Sequence, residues 1–154
     1  MLYKTVSSPA FLILISFGVL FGAVSVLDEQ LDFLLSNYHM NFMPHEISLE
    51  NEIVILIATF GVMLEHRYWI IEKIHGSAIP EKERQLDSGI QRDGVALILV
   101  AVMLELTAST FSGINFWIND ASLLKYVEIL VLLIFNAIAV LLIFRFLLRM
   151  TGFR

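Results

Sequence analysis

The sequence predicts an all-α polytopic membrane protein: four transmembrane helices in a single membrane domain over residues 1–154, with the N- and C-termini in the cytoplasm. Three observations lead there: an apolar composition, four long stretches nearly free of charge, and basic residues gathered on one side. The chain is 58% hydrophobic and 16% charged, with a mean hydropathy of +0.80. Soluble domains are about half apolar and about a quarter charged. There is no cysteine, which excludes disulfide frameworks, thiolate metal sites and cysteine nucleophiles.

The first span is expected over residues 6–27. Residues 5–27 carry no charge, which is enough for the roughly 20 residues that cross a bilayer. This run is longer than the roughly 7–15 residue core of a signal peptide. The segment therefore reads as an uncleaved anchor, despite Lys4 before it and the small Ala23 and Ser25 near its end. Gly18 and Gly22 have the small-xxx-small spacing that lets helix backbones approach closely, and are expected to be helix-packing residues. The bland alternative is a chance glycine pair.

Residues 28–51 read as an acidic outer loop. The stretch 28–52 holds six acids and no Lys or Arg. His39 and His45 lie among those acids, but their spacing fits no defined metal site, so a solvated loop is the expectation. Ser48, followed by Glu50 and Glu52, reads as a cap for the second helix, with acids in its first turn where the helix dipole favours them.

The second span, 52–71, is the shortest in apolar terms. Residues 53–64 are uncharged, then Glu65, His66 and Arg67 intervene before Tyr68-Trp69-Ile70-Ile71. A twelve-residue apolar run would also suit a buried soluble helix. Residues 72–93 read as a charged cytoplasmic loop containing Gly76, Pro80 and Gly89, with a short surface helix begun by Pro80. The third span, 94–114, contains Glu105 as its single charge; the fourth, 126–148, has Glu128 and Arg145 near its ends.

Orientation follows from the basic residues. With four spans, nine of the ten Lys and Arg fall on one side, and Lys125 alone on the other. The positive-inside bias then places both termini and the central loop in the cytoplasm, as a multi-pass protein of the inner (plasma) membrane. The lipid bilayer is the first expected partner. The net charge of -5 gives no reason to expect nucleic acid.

The chemistry-bearing residues are two glutamates within apolar stretches. Each ends the tetrapeptide Val-Met-Leu-Glu, at 62–65 and again at 102–105. A carboxylate in hydrocarbon costs on the order of 3 kcal/mol by insertion scales, so such residues are paired, protonated, facing water or functional. Glu105 is expected near the bilayer middle, with Thr107, Ser109, Thr110 and Asn136 as candidate hydrogen-bond partners if it serves only to join helices. Glu65 is expected in the cytoplasmic third, several ångströms from Glu105 in depth, beside His66. Arg67 would snorkel to the interface there, with Tyr68 and Trp69 in an aromatic belt. Glu65, Glu105, His66 and Arg67 are therefore the candidates for an intramembrane polar path.

Other chemistries are disfavoured. Glu72 and His75 have the spacing of di-iron carboxylate helices, but those sites need a second such motif and two more carboxylates. No histidine lies in spans one, three or four, so bis-histidine haem has no ligands. No catalytic triad order, phosphate-cradling loop or zinc motif stands out. No metal or cofactor is expected, and enzyme activity is not the leading reading.

Two architectural resemblances deserve mention. The four-span layout resembles the small membrane subunit of tripartite ATP-independent periplasmic transporters. The segment Ser48-Leu49-Glu50-Asn51-Glu52, running into Gly61 and then His66-Arg67, is similar to that family's second helix, although Asp28 and Glu29 stand where basic residues would be expected. The chain also resembles phosphate-starvation-inducible four-span proteins, which carry a Glu in the second helix. The arginine expected in their third helix is absent, and Glu105 lies in that region.

The expected function is a small oligomeric membrane protein with an ion- or proton-conducting path through Glu65 and Glu105. The alternative is a non-conducting accessory, immunity-type or transporter small subunit that docks on a larger membrane protein. A third reading is a membrane enzyme using Glu65 and His66 at the cytoplasmic interface.

Overall fold

The computed structural model describes residues 9–35, 45–75, 81–115 and 121–152. Each of the first three segments is one helix: α1 (Pro9–Leu35), α2 (His45–His75) and α3 (Glu81–Asn115). The fourth is α4 (Ala121–Thr151), which ends at Gly152 in the left-handed region, φ 75°. A glycine there is the usual helix stop, because it alone adopts positive φ without a Cβ penalty.

Two boundaries differ from the sequence expectation. Helix α2 begins at His45, so Ser48 lies inside the helix rather than capping it; nothing from 45 to 52 is Gly or Pro, so nothing delays helix formation. Helix α3 begins at Glu81 and runs 35 residues, so much of the stretch read as a charged loop and a separate surface helix is the first part of α3. Gly89 does not break it. The residues 36–44, including His39, lie outside the described residues.

Contacts between helices fix the arrangement. Glycine Gly22 of α1 faces Ile53 of α2. Gly61 of α2 faces Gly94 of α3. Asp93 of α3 pairs with Arg145 and Arg149 of α4, and Phe33 of α1 lies 5.6 Å from the Tyr126 ring of α4. Arg67 late in α2 meets Asp87 early in α3, Asp93 in the first half of α3 meets Arg149 late in α4, and Phe33 late in α1 meets Tyr126 early in α4, so these neighbours run antiparallel. The result is an up-down-up-down four-helix ring in which α1 closes onto α4.

The core of that ring is largely apolar. Phe60 and Phe146 meet edge to face within it, with centroids 5.5 Å apart and planes at 83°, the geometry that the ring quadrupoles favour. Leu12, Ile57, Leu64, Ile90, Leu97 and Ile143 surround them, all fully buried. The α2–α3 contact is the tightest. A Cβ on Gly61 would lie 2.8 Å from the Gly94 carbonyl oxygen, and one on Gly94 would lie 2.7 Å from both the Gly61 oxygen and the Glu65 nitrogen. These backbones touch only because neither residue has a side chain.

The outside is apolar as well. Phe21 on α1 (77% exposed), Ile55 on α2 (64%), Leu99 on α3 (58%) and Leu141 on α4 (65%) all face outward. Large apolar side chains around a whole bundle signal a lipid environment rather than water. Among the described residues, three segments are long and apolar enough to cross a membrane: Ala10–Leu35, Asp87–Ile114 and Leu123–Thr151. The chain is thus all-helical and built for a membrane.

Candidate functional site

Polar groups in this bundle gather at three levels. At the level where α2 and α4 end and α3 begins, an ion-pair network ties three helices together. Arg67 of α2 is 8% exposed and donates to Asp87 Oδ1 of α3 at 2.5 Å. Asp93, wholly buried one and a half turns further along α3, accepts from Arg145 and from Arg149, the latter at 2.5 Å. Arg149 also donates to the Gly89 carbonyl at 2.8 Å, and its guanidinium fills the space a Cβ on Gly89 would need. Arg67 therefore does not snorkel outward. It turns inward, because Asp87 on the antiparallel helix offers it a carboxylate at the same height.

Beside this network Glu65 and His66 point the other way. The Glu65 carboxylate pairs with His66 Nδ1 on the neighbouring residue, and the two side chains are 31% and 57% exposed. With Trp69 and Gln91 they line an open cleft of about 370 Å³. The Trp69 indole is 55% exposed and carries the Lys73 ammonium 4.5 Å above its ring, an arrangement suited to a membrane–water interface.

The third level is the most informative. Glu105 lies one residue past the middle of the apolar stretch 94–114. It borders a cavity of about 20 Å³ whose walls come from all four helices, including Val26 and Gln30 of α1, Ile53 of α2, Ala108 of α3 and Asn136 of α4. Asn136 is 2% exposed; its Nδ2 donates to the Ala23 carbonyl at 3.1 Å, and its Oδ1 has no hydrogen-bond partner. Glu105 itself is exposed on α3 while bordering this cavity, at a depth where the helix exterior is apolar. Thr107, a candidate partner for it, instead donates back to Met103 of its own helix at 2.7 Å.

The structure thus separates the four polar-path candidates. Gly94 sits level with Glu65, and Glu105 lies eleven residues further along α3, about 16 Å at 1.5 Å per residue. Glu65 with His66 and Glu105 border different cavities, while Arg67 belongs to the ion-pair network. Of the glycines expected to pack, Gly22 meets Ile53 Cδ1 and Gly18 faces open space. Sequence reasoning passed over Asp87, Asp93 and Gln30, because it placed the aspartates in a loop and Gln30 beyond a helix end. One signal was available. Arg67 and Asp87 stand at similar distances on either side of the connection 76–80, as paired residues of an antiparallel hairpin must.

Among the described residues, no group of three or more His, Cys, Asp or Glu is placed to hold a metal ion. Comparison with protein-family models, with curated proteins and with solved structures finds no match, so the functional reading rests on the residues and their geometry.

Proposed function

We propose that the chain is a four-span protein of the inner membrane whose copies together form an ion- or proton-conducting path in which Glu105 is the membrane-depth carboxylate. The fourth crossing is α2. Helices α1 and α3 point the same way in the ring, so if both cross a bilayer, α2 must carry the chain back between them. Its outward Ile55, Leu56 and Val62 are 64, 47 and 46% exposed, which suits lipid contact. Lys73, Arg92, Arg145 and Arg149 gather at one end of the ring, against Lys125 at the other, and the positive-inside bias assigns the first end to the cytoplasm.

The observation that carries the reading is the exposure of Glu105 at mid-depth beside the unpaired oxygen of Asn136. An ionisable group facing lipid costs on the order of 3 kcal/mol, so this face of α3 calls for a cover. Near one end of the bundle, Phe60 and Phe146 meet beside the Arg–Asp network that joins three helices, and together they fill the interior there. A path would therefore run between copies along the α3 face, taking in the Glu65–His66 cleft nearer the cytoplasm.

The same filled end of the bundle favours a second reading, in which the Glu105 face docks on a larger membrane protein without conducting. Liposome flux of the purified protein separates the two. Flux that Glu105→Gln alters at least tenfold, with oligomer mass unchanged on the same sample, supports the path. Absence of flux from a folded, homogeneous sample sinks it and leaves docking.

A further inference from the structure

Charge is out of balance where α3 meets the end of α4. Asp93 is wholly buried and holds two cations, Arg145 on one carboxylate oxygen and Arg149 on the other. One carboxylate offsets only one of those two charges. Arg92, the residue before Asp93, is exposed and adds a third cation beside the same contact. Asp87, the next carboxylate along α3, is held by Arg67 of α2, and no Asp or Glu follows Glu128 in α4. This contact therefore carries an excess of positive charge.

The excess faces outward. The side chains of Arg145 and Arg149 are 46% and 27% exposed. A guanidinium has five N–H donors in a fork that matches a phosphate. Arg145 gives Asp93 its Nη2 and Arg149 its Nη1, so one shared carboxylate does not use them all. Beside each cation the exterior is apolar. Leu141 precedes Arg145 by four residues and is 65% exposed; Val95 and Leu99 follow Arg92 by three and seven and are 43% and 58% exposed. At 3.6 residues per turn, each set lies on one helix face. Because α3 and α4 are antiparallel, both apolar stripes run from the arginines toward the middle of the spans.

We propose that the outer face of this α3–α4 contact binds an anionic phospholipid. Its headgroup phosphate sits on Arg92, Arg145 and Arg149, and its acyl chains lie along Leu141, Val95 and Leu99. Arg145 is six residues inside the end of the apolar segment Leu123–Thr151, about 9 Å at 1.5 Å per residue. At that depth a counter-charge comes from the lipid headgroups rather than from a soluble anion. Basic pockets between spanning helices hold anionic headgroups by the same chemistry. The site requires the chain to lie in a membrane and is independent of whether Glu105 conducts.

The test is thermal unfolding of the purified protein in a neutral detergent, with phosphatidylglycerol, phosphatidylcholine of the same chains, or inorganic phosphate added. Phosphatidylglycerol at about 100-fold over its Kd is expected to raise Tm by about 5 °C or more, with the other two within about 1 °C of detergent alone. The double variant Arg92→Gln with Arg145→Gln leaves Arg149 on Asp93 and is expected to abolish most of the rise. Arg92→Gln alone, outside the ion-pair network, is expected to remove about half, and reads the site even if the double variant does not fold. Lys73→Gln, at the same end on α2, is expected to keep the full rise. No rise, an equal rise in phosphatidylcholine, or a rise with inorganic phosphate overturns the proposal. So does a rise that survives the arginine variants, or one that Lys73→Gln removes equally.

Discussion

Replacing Asp87 with Asn removes the carboxylate that Arg67 holds at 2.5 Å while keeping the side chain's volume. The two side chains are 9% and 3% exposed, so the arginine left behind cannot hydrate without opening the α2–α3 contact. Breaking a buried pair by removing one partner costs about 3–5 kcal/mol. Arg67 Nε is already without a hydrogen-bond partner, which leaves no slack for rearrangement and points to the upper part of that range. At about 2–4 °C per kcal/mol for a chain of this size, the loss amounts to a Tm drop of roughly 6–20 °C. Arg145→Gln provides the internal comparison. Its side chain is 46% exposed and can hydrate when replaced, while the buried Asp93 keeps its pairing with Arg149, so no charge is left unpaired and the loss is expected to be smaller. The assay is thermal unfolding of all variants in one detergent, followed by circular dichroism. A double variant, Arg67→Met with Asp87→Leu, is expected to recover most of the loss, since apolar replacement of a buried pair is often neutral or stabilising. An Asp87→Asn shift no larger than that of Arg145→Gln would refute the reasoning that a buried charge left without its partner sets the difference.

Three further outcomes follow from the same geometry. Gly94→Val drives a side chain into the Gly61 oxygen and Glu65 nitrogen, both 2.7 Å from its Cβ position; overpacking of this kind costs about 1–3 kcal/mol, whereas Gly18→Ala, with nothing within 4 Å, should leave Tm unchanged or slightly raised. Phe60→Ala, which empties space held by a side chain 1% exposed, should cost about 3–5 kcal/mol by the same measurement. Because the chain has no cysteine, Glu52→Cys and Glu72→Cys can each carry a single thiol at opposite ends of α2. An impermeant maleimide should label them from opposite faces of sealed vesicles, and labelling from the same face would rule out α2 as a span.

Much of the architecture was legible because hydropathy is a local property. Runs of uncharged residues announced the cores of all four helices, and Glu105 stood out as a single charge in an apolar stretch. The apparent loop over 72–93 misled because charge density normally marks solvent. Here, charges within it have partners on other helices: Asp87 on α2, Asp93 on α4. Whether a charged residue is solvated or paired depends on what stands opposite, and that is set by the register between helices.

Composition and the distribution of charge therefore determined by themselves that this is a helical protein made for a membrane, since the cost of placing charge in hydrocarbon acts residue by residue. Tertiary structure decided everything that depends on two helices meeting. Packing assigned the close approach to Gly61 and Gly94 rather than to the Gly18–Gly22 spacing, because a glycine matters only where another backbone arrives. It turned Arg67 inward, where an antiparallel neighbour supplied a carboxylate at its own height. It also placed Glu105 at a cavity with Asn136 and Gln30, residues 31 and 75 positions away in the chain, which only the closing of the four-helix ring brings within reach.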